Sequence, residues 1–397
     1  MAEAASSEAQ PPTEACDVDE GVKPLSMGSQ GEVLVLGGTQ FMGRWLVQSL
    51  LDHDQHVTMI NRGRTPNPFH GHPNLKVWTC DRMKERKKFK RLLKAFPPGG
   101  WGLIVDFIGF HKTFIQDVVS TLYREGSELE GPEGHPAFDV GHYIYISTDS
   151  VYWALKLPGE YEPGRGLTEE GGTEFSEEDF EIHKQSHLML TETGRYQMHY
   201  GGNKLSCDRY LAEAWQKWRF PYTSLRLPDV YGPYDNLGGF WEVVARVLTG
   251  QSVPAYIPPA RMRQQAGKNR SDFRKHRFSW VYARDVRDAI LAATRAGQAT
   301  FGETFHIAHE EASSVSELAA LVAIAAGLDT TPIVDATKES PMPTTDYGAL
   351  SVAKALRVLG PFGWRPTPLP DAVKEAVAWW RGSVENRRYH HLMQEYQ

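Results

Sequence analysis

Residues 32–43 read Glu-Val-Leu-Val-Leu-Gly-Gly-Thr-Gln-Phe-Met-Gly, an apolar, β-branched run that stops at a pair of glycines. A short apolar run without alternation suits a strand buried on both faces, as in a parallel sheet covered by helices. A helix is predicted directly after it, because Met42, Leu46, Val47, Leu50 and Leu51 recur at helical spacing. Gly37 and Gly43 take the outer places of a G-x-x-G-x-x-G pattern, with Gln40 in the middle one. Glycine there lets the backbone approach a pyrophosphate, and the start of the helix offers unpaired N–H groups to the negative charge. Gly37, Thr39, Gln40, Phe41, Met42 and Gly43 are therefore the candidate phosphate loop. A tight strand-to-helix turn also uses glycine, so the loop gains its meaning from the strands and helices downstream of it.

Further strands are predicted at 56–60, 75–79, 103–108 and 143–147, with helices at 84–94 and 114–124 between them. Strands alternating with helices call for a Rossmann-type α/β fold, a doubly wound parallel sheet. A helix at 200–218, a strand at 222–227 and helices at 240–249, 315–326, 352–359 and 371–380 continue the chain. The domain reading is a disordered acidic tail over 1–30 and a dinucleotide-binding domain over 31–227 with an acidic insertion at 155–195. A smaller interleaved α/β substrate-binding cap covers 228–382, with 278–308 returning to the sheet, and 383–397 is a C-terminal tail. Within the insertion, Glu160–Glu181 holds nine acids against Arg165 alone and reads as a lid.

The chain has 397 residues, 43 basic against 49 acidic for a net charge of −6, and 41% hydrophobic residues. That supplies a large core and excludes a wholly disordered or collagen-like chain. Three cysteines, Cys16, Cys80 and Cys207, are too few and too scattered for a disulfide framework or a cysteine-rich zinc site, so no metal is expected. No apolar run approaches the roughly 20 residues that cross a bilayer. The acidic first thirty residues are unlike a transit peptide, and a cytoplasmic location is expected.

After the second predicted strand comes Asn61-Arg62-Gly63-Arg64. An acid there would accept ribose hydroxyls, whereas guanidinium groups suit the extra phosphate of NADP. NADP(H) is favoured on this ground and NAD(H) stays open. Asp81, after the third strand, is placed to accept from an adenine amino group. Tyr200-Gly-Gly-Asn-Lys204 sets a phenol and an ammonium four residues apart on one helical face. A nearby ammonium stabilises tyrosinate, so the phenol can exchange a proton with a substrate oxygen near neutral pH. Upstream, Ser147-Thr148-Asp149-Ser150 ends a strand and offers hydroxyls for a third partner. The plainer reading makes these turn residues and Tyr200 a packed aromatic.

Together these motifs resemble the extended short-chain dehydrogenase/reductases of the NAD-dependent epimerase/dehydratase family. The likeness extends over Arg226-x-x-Asp229-x-x-Gly232-Pro233, Arg284-Asp285-Val286, Gly302–Ile307 and Gly363-Trp364-Arg365-Pro366. It implies that Thr148 orients a substrate oxygen, Tyr200 transfers the proton, and Lys204 holds the cofactor ribose while tuning Tyr200. It further implies that Phe107, Ile108 and Gly109 line the cofactor and that Asp149, Asp229 and Arg277 reach the substrate, a nucleotide-linked sugar. Asp229 stands where many relatives have asparagine. Arg277 falls one place before the arginine that grips the diphosphate. Dehydratases of the family carry an adjacent Asp-Glu pair, one carboxyl as acid and one as base. This chain has Asp149-Ser150, so dehydration is disfavoured and an epimerase-type oxidoreductase is expected. A homodimer through the helix bearing Tyr200 is implied by the same resemblance.

The loop Gly-Gly-Thr-x-Phe-Met-Gly and Asn-Arg-Gly also resemble a divergent branch that includes chloroplast stem-loop RNA-binding proteins. Two basic stretches keep that alternative in view. Arg82–Lys94 has eight Lys or Arg against Glu85, and Arg261–Arg277 has seven against Asp272. Such clusters can neutralise phosphates, although a charge run on a helix is more often its solvated face. The rivals to an epimerase are thus an RNA-binding or scaffold protein without catalysis and an NADPH-dependent carbonyl reductase that consumes its cofactor.

Overall fold

The computed structural model describes residues 32–124, 137–156, 167–169, 173–174, 192–256, 277–339 and 349–382. Both expected tails, most of the acidic insertion and the basic loop up to residue 276 lie outside them.

Seven parallel strands form the main sheet: β1 (Val33–Leu36), β2 (Val57–Asn61), β3 (Leu75–Thr79), β4 (Trp101–Asp106), β5 (Val140–Thr148), β6 (Tyr222–Leu227) and β7 (Glu303–His306). Their order is β3-β2-β1-β4-β5-β6-β7, the doubly wound arrangement of a Rossmann fold. Successive residues of a strand face opposite sides, and β1 shows why its sequence is uniformly apolar. Val33 and Val35 enter one core with Leu46 and Leu50 of α1 (Phe41–Asp52) and Ile290 of α6 (Ala283–Ala296). Leu34 and Leu36 enter the other, with Phe89 of α2 (Arg86–Leu93), Val118 of α3 (Lys112–Leu122) and Leu211 of α4 (Glu192–Trp218). Every β1 side chain is therefore buried. Edge strand β3 is instead largely exposed along its length.

A third core joins Trp241 and Val244 of α5 (Gly239–Leu248), Val322 of α7 (Val315–Ala325) and Val377 of α9 (Leu369–Gly382). Helix α8 (Ala353–Leu359) returns to the first core. The short parallel strands 229–231 and 280–282 contribute side chains to this core and to the first, whereas 253–256 pairs with 334–339 within this part. Contact between the two parts is made over the start of α1, where the Arg44 guanidinium lies 3.6 Å above the Tyr234 ring. Sheet order reverses between β1 and β4, so the crevice at their carboxyl ends is where such a fold binds ligands. Among the described residues no helix is long and apolar enough to cross a membrane.

Candidate active site

A cavity of about 690 Å³ opens in that crevice. One wall is the glycine loop. Gly37 has φ +88°, a conformation side chains disfavour, and a Cβ on Gly43 would stand 2.3 Å from the Gly37 carbonyl oxygen. These two glycines let β1 turn straight into α1 and leave the first N–H groups of the helix facing the cavity. Gln40, in the middle glycine's place, precedes the helix without capping it. Its side-chain oxygen instead accepts from Asn236 Nδ2 at 3.5 Å across the cavity mouth. Thr39, Phe41 and Met42 line the same wall.

Asn61, Arg62 and Arg64 also line the cavity, with both guanidinium-bearing residues exposed. Asn61 Oδ1 accepts from Gly63 N at 2.8 Å and shapes the turn that carries them. Asp81 lies outside the lining residues, and its Oδ1 accepts from the N–H groups of Met83 and Lys84 at 3.0 and 3.4 Å. Phe107 and Ile108 face the cavity beside Phe110. Gly109 contributes its carbonyl from behind, accepting from Tyr145 Oη at 2.8 Å and Lys204 Nζ at 3.2 Å.

Thr148, Tyr200 and Lys204 line the cavity opposite the glycine loop. Lys204 is fully buried and its Nζ donates to the Ile146 carbonyl at 2.6 Å as well as to Gly109. Burial draws its pKa down to about 8, and the two carbonyls hold the ammonium in place. Phe110 sits between the two functional groups, 6.4 Å from the Tyr200 ring and 5.3 Å from Lys204 Nζ. Thr148 Oγ1 accepts from Ser150 N at 3.2 Å, which fixes the hydroxyl at the end of β5.

Adjacent glycines in α4 set how closely Tyr200 approaches Thr148. A Cβ on Gly201 would lie 2.0 Å from the Ser150 carbonyl oxygen, whereas one on Gly202 would meet nothing within 4 Å. Gly201→Ala is expected to push α4 off the turn and destabilise the fold by about 1–3 kcal/mol. Gly202→Ala is expected to stabilise it by up to about 1 kcal/mol through helix propensity. Denaturant unfolding of the two variants checks this, and equal shifts would contradict the packing argument.

The remaining wall holds Asp149 and Asp229. Burial and the charges of Asp149 and Asp235 push the Asp229 carboxyl far above the usual carboxylate range. Asp235 is itself buried, which raises it to about 7 although Leu237 N donates to it at 2.7 Å. Beneath this wall Asp208 of α4 accepts from Ser147 Oγ, Ser224 Oγ and Arg226 Nε at 3.1, 2.7 and 3.0 Å. Arg277 is not brought to the site: it is exposed and forms a bidentate ion pair with Glu317 at 2.7 and 3.0 Å. Asp208, Asp235 and Asn236 were not singled out from the sequence. Only Asp235 carried a local signal, a turn residue just ahead of a helix.

Much of the basic stretch in and before α2 is committed to the fold. Arg82 is buried against Asp106 at 2.9 Å, Arg86 and Lys90 share Asp117, and Lys88 pairs with Glu85. No group of residues suited to hold a metal ion occurs among the described residues.

Residues 173–308, the stretch containing Tyr200, Lys204 and Asp229, match the family model described as NAD dependent epimerase/dehydratase. Human dTDP-D-glucose 4,6-dehydratase is 24% identical over 259 residues, which are 62% of this chain and 58% of that protein. The chain thus spans less than two thirds of the length of the curated relative it matches. In fold it is similar to UDP-glucose 4-epimerase from Thermotoga maritima, solved with UDP-glucose (TM-score 0.60, 18% identity, 88% of this chain and 98% of that one). It is equally similar to dTDP-glucose 4,6-dehydratase from Bacillus anthracis in complex with NAD (TM-score 0.60, 17% identity, 90% and 98%). A doubly wound sheet, a glycine-walled crevice and Tyr200 with Lys204 facing it accompany that match, so that over residues 173–308 the chain is similar to the NAD-dependent epimerase/dehydratase family.

Proposed function

We propose that this chain is an NAD(P)-dependent oxidoreductase of the epimerase type that acts on a nucleotide-linked sugar. The observation that carries the reading is the convergence of Tyr200, Lys204 and Thr148 with the Gly37–Gly43 cradle on one cavity. A Cβ at Gly43 would collide with the Gly37 carbonyl oxygen at 2.3 Å, so the close strand-to-helix packing that a dinucleotide loop needs depends on glycine there. Gly37, Thr39, Gln40, Phe41, Met42 and Gly43 would hold the dinucleotide phosphates, with Phe107 and Ile108 along its length. When bound, the nicotinamide supplies the acceptor and donor of hydride. Tyr200 removes the proton from the substrate hydroxyl as it becomes a carbonyl and returns it afterwards. Lys204 keeps a positive charge beside that exchange, and Thr148 donates a hydrogen bond to the same oxygen. A sugar reduced again on its opposite face leaves as the epimer.

Relatives that bind NAD and sugar nucleotides support this class of ligand. Arg62 and Arg64 at the rim, with no acid between them, favour NADP(H). Arg62→Ala with Arg64→Ala should weaken NADP(H) by roughly 1.5–3 kcal/mol per lost charge-assisted bond and leave NAD(H) nearly unchanged. Parallel titrations with the two nucleotides measure the ratio, and an unaltered ratio would remove the argument for NADP. The ion pairs that occupy Arg82, Arg86, Lys88 and Lys90 leave less of that stretch for RNA.

The proposal is tested by identifying, by mass, the nucleotide released when the purified chain is denatured. Reduced-nucleotide absorbance is then followed with UDP-glucose and dTDP-glucose. Transient reduction without net consumption is expected. Net consumption would indicate a one-way reductase, and salt-sensitive RNA binding without any reduction would indicate the scaffold.

A further inference from the structure

Gln40 holds the middle place of the phosphate loop, where close approach of the backbone to a phosphate favours glycine. Its backbone is extended, at φ −136° and ψ 158°, so glycine's left-handed freedom is not required there. The side chain adds reach instead. It caps no N–H group of α1 and extends across the cavity mouth, where Oε1 accepts from Asn236 Nδ2 at 3.5 Å. That bond joins positions 196 residues apart, one on the loop and one on the part built around the third core, and both line the cavity.

The first turn of α1 grips the segment carrying Asn236 at a second point. Arg44, whose amide donates to the Gln40 carbonyl at 3.2 Å, places its guanidinium 3.6 Å above the Tyr234 ring. Trp45 stands 5.7 Å from the same ring, and Trp379 backs it from the other side at 5.4 Å. Asp235 is buried, and its carbonyl accepts from Trp241 Nε1 at 3.2 Å. Beyond Asp235 the anchoring gives way. Leu237 is 77% exposed although it lines the cavity, and Gly238, at φ +87°, leads with Gly239 into α5. Residues 236–239 thus form a short strap, rooted at Asp235, that Gln40 ties to the phosphate loop.

We propose that Gln40 and Asn236 are positioning residues that clasp this strap over the dinucleotide, so that nucleotide exchange waits for their bond to open. The inference rests on the dinucleotide seat proposed above. One partner stands on the loop that would cradle the pyrophosphate and the other on the facing wall, so a nucleotide leaving the crevice parts them. Gln40 uses only its oxygen on Asn236, and its Nε2 can donate to a phosphate oxygen below. A residue chosen only to let the backbone come close would be glycine; a long amide at this place holds the ligand from above. Such a clasp suits a reaction in which hydride leaves and returns to the same sugar, because the nucleotide has to outlast both steps.

The first readout needs no ligand. Hydrogen exchange of the full chain, read by mass on peptides covering 234–241, should be roughly twofold or more faster in Gln40→Ala, because a lost contact eases local opening. Peptides covering 140–148 in the sheet should exchange as in wild type. Unchanged exchange over 234–241 overturns the clasp. The second readout is the release rate of NADH and NADPH, followed by their fluorescence on displacement with excess oxidised nucleotide. Gln40→Ala and Asn236→Ala should each raise it roughly two- to tenfold, the range of one neutral hydrogen bond, with association within twofold of wild type. The double variant should release no faster than the faster single one, since both substitutions remove the same bond. Effects that multiply in the double variant, or wild-type release from Asn236→Ala, overturn the proposal even where sugar turnover is intact. Release that responds as expected in a chain that turns over no sugar supports the clasp and fails the epimerase reading alone. A chain that binds neither nucleotide fails both.

Discussion

Tyr200→Phe is expected to lower turnover roughly a hundred- to ten-thousand-fold while leaving nucleotide affinity within twofold, the signature of a lost proton-transfer group. The substitution removes one oxygen and keeps the ring that faces Phe110 at 6.4 Å, so the cavity wall retains its shape. Lys204 is held by the Ile146 and Gly109 carbonyls and stays in place when the hydroxyl is gone. The effect should therefore fall on kcat, with KM for the sugar little changed. Nucleotide titration and steady-state rates measured on the same preparation check both halves. Wild-type turnover in the variant would sink the assignment of Tyr200, and lost nucleotide binding would show that the phenol is structural.

Much of this arrangement is legible in the sequence, for identifiable reasons. Strand β1 is readable because both of its faces are buried, so every position from Val33 to Leu36 is apolar. The end of β4 is less readable. Phe107 and Ile108 look like two more strand residues, yet the strand stops at Asp106, whose Oδ1 accepts from Ile108 N at 2.9 Å and turns the chain toward the cavity. A side chain that competes for backbone N–H groups leaves no mark on hydrophobic periodicity. Helix α4 begins at Glu192, ahead of the expected Tyr200, because polar residues precede the motif and carry no apolar stripe. The family resemblance implies Arg277 near a diphosphate, whereas its side chain closes on Glu317. The interaction of Asp149 with Asp229 joins positions eighty residues apart, and the burial that makes it consequential is a property of the assembled walls. Local motifs thus expose the parts that bind through backbone and glycine, and hide those that work through buried charge.

The second large effect is expected at Asp208, which no motif marks. It sits on α4 one turn beyond Lys204 and accepts hydrogen bonds from Ser147, Ser224 and Arg226, tying α4 to β5 and β6. Arg226 is paired in register with Ser147 across those strands and donates onward to Tyr152 Oη and the Glu169 carbonyl, each at 3.0 Å. Tyr152 Oη in turn lies 2.6 Å from His306 Nε2. Burial holds His306 neutral, with its pKa lowered to about 3, and Nδ1 faces the Ser351 carbonyl at 3.2 Å. Nδ1 therefore carries the proton, Nε2 accepts from Tyr152, and the phenol oxygen accepts from Arg226. Each donor in the series depends on the carboxylate at its head. Asp208→Ala leaves a guanidinium buried without its counter-charge, and such a break costs about 3–5 kcal/mol. Asp208→Asn preserves the volume and one acceptor, so it should cost less while still weakening the Arg226 contact. Denaturant unfolding should show a lower midpoint with unchanged slope for both, alanine below asparagine. A loss under about 0.5 kcal/mol for Asp208→Ala, the range of an ordinary surface substitution, would show that the network is not what joins α4 to the sheet. Ser147 immediately precedes Thr148, so any slack there passes to the hydroxyl and carboxyl at the cavity wall, and stability and turnover should fall together in this variant, unlike Tyr200→Phe.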